Sequence, residues 1–443
     1  MKIILLLFLG CLSVDATEIY VATDGSSSNS GTKSSPWTWS CVCDQSCTGI
    51  NLQPGDRVWL RGGTYTNRCH IDGLHGEENS RITFRNYPGE KPLLNWQGTT
   101  PIITYSLTLD EDTSYLDVFG LWPINTDTDR TVDNGTTTAM MRPGGIGNYG
   151  KENRVIYSWI ESTGRGLDSW VSDPTYGDTD YLMNLVAGTG MQANATNIGH
   201  ALYAQSNSDG DTTWYGNVAL WPFNQCIQFY GSAGASGVKH GIFDSGLCVR
   251  PAYAADPDKA NEGYNFGAFG GNRGFEDVTL QGYTFWNDFA QTRTSLRAAY
   301  ENGGSELNLF NNIITGYKSL QLEAIPPGFE SEGNRYYGGL VRAALGETKT
   351  VATGIGGDPA IFLVSNAQVR IGFSSAFPTN NFRATFSGAT SSWTGINAAW
   401  DVVPTASYNS SRSILTLTKG ADTAITMNSS DAGWNAGETL TCS

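Results

Sequence analysis

What most limits the folds open to this sequence is the recurrence, over most of its length, of very short apolar strands that each stop beside a glycine or asparagine bend. Tyr115-Leu116-Asp117-Val118-Phe119-Gly120-Leu121 has this form, as do Arg154 to Ile160, Thr213 to Leu220, Asp277 to Phe285 and Leu307 to Ile314. A strand with one apolar face cannot bury it alone, so segments this short need a covering layer. Stacking them coil upon coil supplies that layer, and Gly or Asn at the bend supplies a backbone able to turn the corner. The intervals are uneven: 37 residues separate Val118 from Val155 and 30 separate Thr279 from Leu309. Loops must therefore project between coils, and loops on a rigid scaffold are where function concentrates. The 53 glycines and 12% aromatic residues suit the same picture of short strands and tight turns. The pattern predicts an all-β solenoid.

The N-terminal block is the most specific part. Ile19-Tyr20-Val21-Ala22 opens a strand, Asp24-Gly25-Ser26 turns, and Pro54-Gly55-Asp56 leads into Val58-Trp59-Leu60-Arg61-Gly62-Gly63-Thr64-Tyr65; Arg81 to Arg85 and Tyr87-Pro88-Gly89-Glu90-Lys91-Pro92 follow. Val58 and Leu60 alternate as one face of a strand, and the Pro-Gly and Gly-Gly pairs supply turn geometry. A first coil also needs its open edge covered; the Cys- and Trp-rich stretch from Trp37 to Cys47 is the candidate cap.

This order of strand, PGD turn, VxLRxGxY strand and YPGExP turn resembles the first coils of secreted proteins of the pectate-lyase-like β-helix superfamily. A second stretch, Gly199-His200-Ala201-Leu202-Tyr203-Ala204-Gln205 with Cys226-Ile227-Gln228-Phe229-Tyr230-Gly231-Ser232, resembles the GHGIYxQ and GIHxYGS segments of bacterial β-helix proteins. Ala201 and Cys226 replace glycines of that pattern, and Gln228 stands where it often carries His. The resemblance spans roughly Thr17 to Tyr337. It implies a right-handed parallel β-helix over residues 17–345 that acts on or binds an extracellular polysaccharide or surface glycan, as a lyase ahead of a hydrolase, or as a non-catalytic adhesin or phage-type appendage. Residues 346–443 hold only 11 charged residues in 98 and resemble small β-sandwich or barrel modules appended to phage appendage and bacterial surface proteins.

Lys2, the apolar run Ile3 to Leu9 and the small-x-small site Val14-Asp15-Ala16 are read as a signal peptide over residues 1–16. Lipoprotein anchoring through Cys11 is the competing reading. No later stretch approaches the roughly 20 apolar residues of a membrane helix. The net charge of −15 disfavours nucleic acid as a partner, and an anionic polymer would need a local basic groove or a bound cation such as Ca2+. Oligomeric state is not legible. In an exported chain Cys41, Cys43, Cys47 and Cys69 point to disulfides more than to zinc, given their irregular spacing. Cys226 and Cys248 are 22 residues apart, about one coil, which predicts a bridge between adjacent coils; Cys442 is left over.

Elimination from a uronate needs a base and a positive centre beside the carboxylate. His200, Lys239, His240 and Arg273 are the catalytic candidates, although Lys239 and His240 point to opposite faces of a strand. The plainer reading of His200 is a histidine that holds a turn. Hydrolysis needs two carboxyl groups instead, and Asp209, Asp211, Asp244, Glu262, Glu276 and Asp277 lie in the same region. Asp209 and Asp211, flanking Gly210, are the candidate ligands for a hard cation. Trp214, Tyr215, Trp221 and Tyr264 offer flat faces for sugar rings. The site is expected on the solenoid face formed by the segments around His200, Asp209 to Trp214, Lys239-His240 and Glu262 to Arg273, with at most one of Lys239 and His240 facing the groove.

Overall fold

The computed structural model is an all-β parallel solenoid. It describes the backbone from residue 16 onward apart from several intervals, chiefly 99–103, 133–141, 172–177, 194–196, 231–237, 250–265, 270–274, 287–293 and 300–304, and beyond residue 313 it describes little more than strand positions. The signal segment, Cys11 and Cys442 lie outside the described residues.

Each coil contributes one strand to each of three sheets. Sheet I stacks eleven strands, from Glu18–Val21 to Glu330–Glu332. Sheet II begins with Gly63–Tyr65, Pro92–Leu94 and Trp122–Pro123. It continues through a bridge between Ile124 and Glu161 into seven further strands, from Trp159–Glu161 to Arg335–Tyr337. Sheet III runs in parallel from Cys69–Ile71 to Leu340–Ala344. Parallel crossovers of this kind take the right-handed sense. Beyond Ala344 the next strand, Thr348–Ala352, pairs antiparallel, and the side chains of the expected sandwich or barrel module at 346–443 lie outside the described residues.

Coil-on-coil register places like upon like. In sheet I, Val58, Phe84, Val118, Val155, Tyr181, Trp214, Phe243, Leu280 and Leu309 form one inward column, and each is essentially fully buried. Tyr181 stacks on Trp214 at 3.7 Å between ring centroids, and Trp214 on Phe243 at 5.4 Å. This corrects the expectation that Trp214 binds sugar: its ring lies in the core, because the parity of the strand Thr212–Tyr215 turns Thr212 and Trp214 inward and Thr213 and Tyr215 outward.

The turn from sheet I to sheet II repeats one solution. From Leu116–Phe119 to Ser305–Phe310 a residue with positive φ follows each sheet I strand, at Gly120, Tyr157, Met183, Gly216, Ser245, Gly282 and Asn311. The next position is often a buried asparagine whose amide bridges coils. Asn184 Nδ2 donates to Val155 O at 2.9 Å and to Asn217 Oδ1 at 3.0 Å, and Asn217 Nδ2 donates to Tyr181 O at 2.7 Å. Asn312 repeats the pattern on Leu280 O. Such side chains satisfy backbone groups that the corner would otherwise leave buried and unpaired.

The ends and seams follow the cysteine spacing. Cys41 bonds Cys47 and Cys43 bonds Cys69, which removes all four from any zinc site. They hold the short helix Trp39–Cys43 over the first coil, with Trp39 packed edge-on against Tyr65 and Phe84. Cys226 and Cys248, both fully buried, are bonded between adjacent coils. Trp214→Ala is expected to lower unfolding stability by about 3–5 kcal/mol through the cavity it leaves, while exposed Trp221→Ala changes it by no more than about 0.5 kcal/mol; guanidinium denaturation of the two variants checks this.

Candidate functional site

The corner from sheet II to sheet III carries the long excursions, including a small added sheet of Thr131–Val132, Met191–Ala193 and Asn197–Ile198. Beside it, on the outer face of sheet III, lies a group of polar side chains that the core does not require. The strand Leu167–Val171 buries Leu167 inward, so alternation places Asp168 outward. Asp168 is in register with Gly147 on one coil and Tyr203 on the next, and Tyr203 is in register with Gln228 beyond it.

Arg165 reaches Asp168 from three residues earlier, with Nη1 2.9 Å from Oδ2. Its guanidinium also lies over the Tyr203 ring at 4.2 Å. The Tyr105 hydroxyl, two coils before Asp168, donates to the same Asp168 oxygen. The His200 ring stacks against Tyr203 with centroids 5.5 Å apart, and Tyr149 stands edge-on to Tyr105 and Trp170. The turn can bring Arg165 here because Gly164 and Gly166 flank it. A Cβ on either would come within 2.2 Å of backbone oxygen on a neighbouring coil, at Arg142 and Ala201 respectively.

The electrostatics are those of charges taken out of water. Burial raises the Asp168 carboxyl above its ordinary range, against the opposing pull of Arg165 and Tyr105. Burial also works against the Arg165 charge, but Tyr105 and Asp168 more than offset it, so the guanidinium stays charged. Burial pushes the Tyr105 phenol far up. Burial, with Arg165 nearby, depresses His200 well below the usual imidazole value, so its ring is neutral at physiological pH. Within this group His200 Nδ1, Arg165 Nε and Gln228 Oε1 are buried with no hydrogen-bond partner among the described residues. Arg165, at 21% side-chain exposure, is the most open of the charged members.

Other sequence candidates land elsewhere. Lys239 and His240 sit at the opposite end of the sheet III strands, where the chain turns into sheet I; a five-residue strand spans about 16 Å, so they do not meet His200. Lys239 Nζ faces Asp209 at 3.3 Å and Glu276 at 3.8 Å, and His240 Nδ1 faces Asp277 at 3.0 Å. Asp209 is thus paired with a cation, Asp211 is exposed, and among the described residues no three His, Cys, Asp or Glu are placed to hold a metal ion. Tyr215 and Trp221 are exposed, but on the edges of sheet II. Tyr264, Glu262 and Arg273 lie outside the described residues. Of the predicted face only His200 belongs to the sheet III group. Arg165, Asp168, Tyr105 and Tyr203 were not singled out, although the Gly-Arg-Gly sequence at 164–166 was a usable signal of close coil contact.

The chain is thus an all-β protein of the parallel β-helix class. No family model matches its sequence, and no curated protein matches it. Among solved structures it is similar to a rhamnogalacturonan lyase at 12% identity and a TM-score of 0.47, covering 69% of this chain and 75% of that one. It is similar to a pectate lyase at 14% and 0.46, covering 74% and 76%. A lacto-N-biosidase from Eubacterium ramulus gives 14% and 0.37, covering 74% and 65%.

Because His200 is held neutral, folding favours the uncharged ring; its contribution is present above the ordinary value of 6.5 and is lost as pH falls below it, where only the unfolded chain gains the proton. Wild type is therefore expected to lose more thermal stability than His200→Gln between about pH 7.5 and pH 5. Parallel melting curves for the two proteins would refute the neutral ring.

Proposed function

We propose that this protein acts on an extracellular acidic polysaccharide, binding it on the outer face of sheet III and cleaving it by elimination. The observation that carries the reading is the Arg165–Asp168 pair, held nearly dry on the outside of a solenoid and ringed by Tyr105, Tyr203 and His200. Buried charge away from the core needs a reason, and polar groups with displaced pKa values gathered in one place are characteristic of working sites.

In this proposal Arg165 neutralises the substrate carboxylate, lowering the barrier to forming the adjacent carbanion. The neutral His200 imidazole accepts the proton from the carbon next to that carboxylate. Tyr203, whose ring lies against both, returns a proton from its hydroxyl to the departing glycosidic oxygen. Asp168 positions Arg165 and Tyr105 and does not itself react. Elimination is favoured over hydrolysis because hydrolysis calls for two carboxyl groups across the scissile bond, and Asp168 is the one carboxylate among the described residues of the group. The three disulfides suit an oxidising, extracellular compartment, and no helix of the described residues is long and apolar enough to cross a membrane.

Incubation with a panel of uronate and neutral polysaccharides tests the proposal, following ultraviolet absorbance of unsaturated products alongside reducing ends. Absorbance is expected with a uronate polymer, and Arg165→Gln should lower kcat/KM by about 100-fold or more, with a lower substrate-free melting temperature because the buried Asp168 loses its partner. Reducing ends without absorbance would mean hydrolysis, and binding without either product would make the protein an adhesin.

A further inference from the structure

On the outer face of sheet I the first coils carry cations and aromatic rings that neither the core nor the sheet III group uses. Tyr20, Trp59, Arg85 and Phe119 follow one another in register on four successive strands, and all are half-buried. The Arg85 guanidinium lies 4.8 Å from the Trp59 ring on one side and 4.5 Å from Phe119 on the other. Arg57 lies over the same Trp59 ring at 5.4 Å. Tyr87 stands edge-on to Trp59 at 5.8 Å, and its own ring carries Lys33 at 4.8 Å and Arg61 at 5.0 Å. Arg57 is paired with Glu18, and Arg61 with Glu90. Among the described residues Lys33 and Arg85 have no carboxylate within ion-pairing distance, and Arg85 Nε is buried without a hydrogen-bond partner. In a chain with 42 acidic residues against 27 lysines and arginines, two unpaired cations in one cluster are not explained by a shortage of acid.

We infer that this platform is a second, non-catalytic binding surface for a uronate polymer, whose carboxylates are received by Arg85 and Lys33 and whose sugar rings lie against the adjoining aromatic rings. The inference rests on the ligand class proposed above, but not on cleavage at sheet III. Charge selects an anion. Two guanidiniums over one ring repel each other, and burial, with Arg57 nearby, holds Arg85 below the ordinary arginine value; a carboxylate beside them offsets both costs. Shape selects a carboxylate on a sugar. A ring that holds a guanidinium flat leaves it less freedom to lose when its planar N–H fork meets a carboxylate, and Tyr and Trp present the apolar face and polar edge that a sugar ring can use. The three disulfides suit an extracellular compartment, which favours a glycan over nucleic acid as the anionic polymer. From Tyr20 to Phe119 the platform follows the solenoid axis for three coil steps of about 4.8 Å each, so an extended polymer touches several coils at once.

Native affinity electrophoresis of the full chain, through gels containing polygalacturonate or alginate, tests the platform in an Arg165→Gln background, where cleavage at sheet III does not consume the polymer. The background protein is expected to be retarded by at least one of the two polymers, and not by fully methyl-esterified polygalacturonate, with retardation fading as salt screens the contact. Lys33→Glu, at an exposed site, and Arg85→Gln are each expected to weaken apparent binding by about 10-fold or more, with melting curves that match the background. Arg85→Lys, which keeps the charge and loses the fork, is expected to fall between. The Lys33→Glu comparison is repeated in the wild-type chain, where the Arg165–Asp168 pair is intact. No retardation of the background protein, unchanged retardation in Lys33→Glu and Arg85→Gln, or equal retardation by the esterified polymer each overturns the inference. Retardation by dextran sulfate with none by either uronate overturns the assignment to carboxylates. The elimination reading fails separately, through an absence of unsaturated product from wild type, and that result leaves the binding outcomes as they stand.

Discussion

Each inner strand of the three long sheets hydrogen-bonds to the strands one coil before and one coil after it, and almost everything else follows from that constraint. A coil can close only if the chain turns three corners and returns in register, so the corner from sheet I to sheet II is built repeatedly from a residue of positive φ and a buried asparagine amide. Once register is fixed, each inward side chain rests on its counterpart, and the core becomes columns of Val, Phe, Tyr, Trp and Leu. The outward positions are then free to differ. Sheet I uses them for ion pairs such as Arg81–Asp117–Arg154, in which one carboxylate is shared by two guanidiniums. Sheet II leaves them apolar. Sheet III uses them for a compact polar group.

That group depends on the corner between sheets II and III, where the chain departs furthest from a minimal coil. Arg165 is accompanied there by Arg142, which donates to the carbonyl oxygens of Ser162, Asn125 and Asp127, and by Arg130 on Gly188 O. Three guanidiniums thus gather at this corner, with Asp127, Glu161 and Asp168 beside them. In the proposed function the cation an acidic substrate would need is Arg165, whose charge burial does not remove.

The sequence was legible where physics is local. Alternation at Val58 and Leu60 places both inside, and a 22-residue interval puts Cys226 and Cys248 one coil apart, close enough to bond. It was less legible where the answer depends on parity or on a third dimension. Nothing in Thr213-Trp214-Tyr215 says which aromatic faces inward until the corner before it is fixed, so the sequence alone allows Trp214 as a sugar platform, whereas it is the middle of a core stack. Tyr105 and Asp168 are 63 residues apart and meet only because two coils intervene. Lys239 and His240 failed to join His200 for the converse reason: closeness in coil number does not matter when two segments sit at opposite ends of a strand.

His200 illustrates why a turn-holding role and a site role need not compete. Its carbonyl oxygen accepts the Gly166 amide at 2.9 Å, tying two coils at the base of the Arg165 turn. Its ring meanwhile lies against Tyr203 with Nδ1 unpartnered. The first contact belongs to the backbone and survives any side-chain replacement that keeps the local φ and ψ; the second belongs to the imidazole alone. The same division holds at Arg165, whose neighbouring glycines permit the close approach of coils while its side chain supplies charge to the outer face. In a solenoid the backbone ladder secures position and outward side chains supply chemistry. Polar substitutions on the outer face of sheet III should therefore affect the site more than the fold, whereas their inward neighbours Leu167 and Leu202 carry the coil itself.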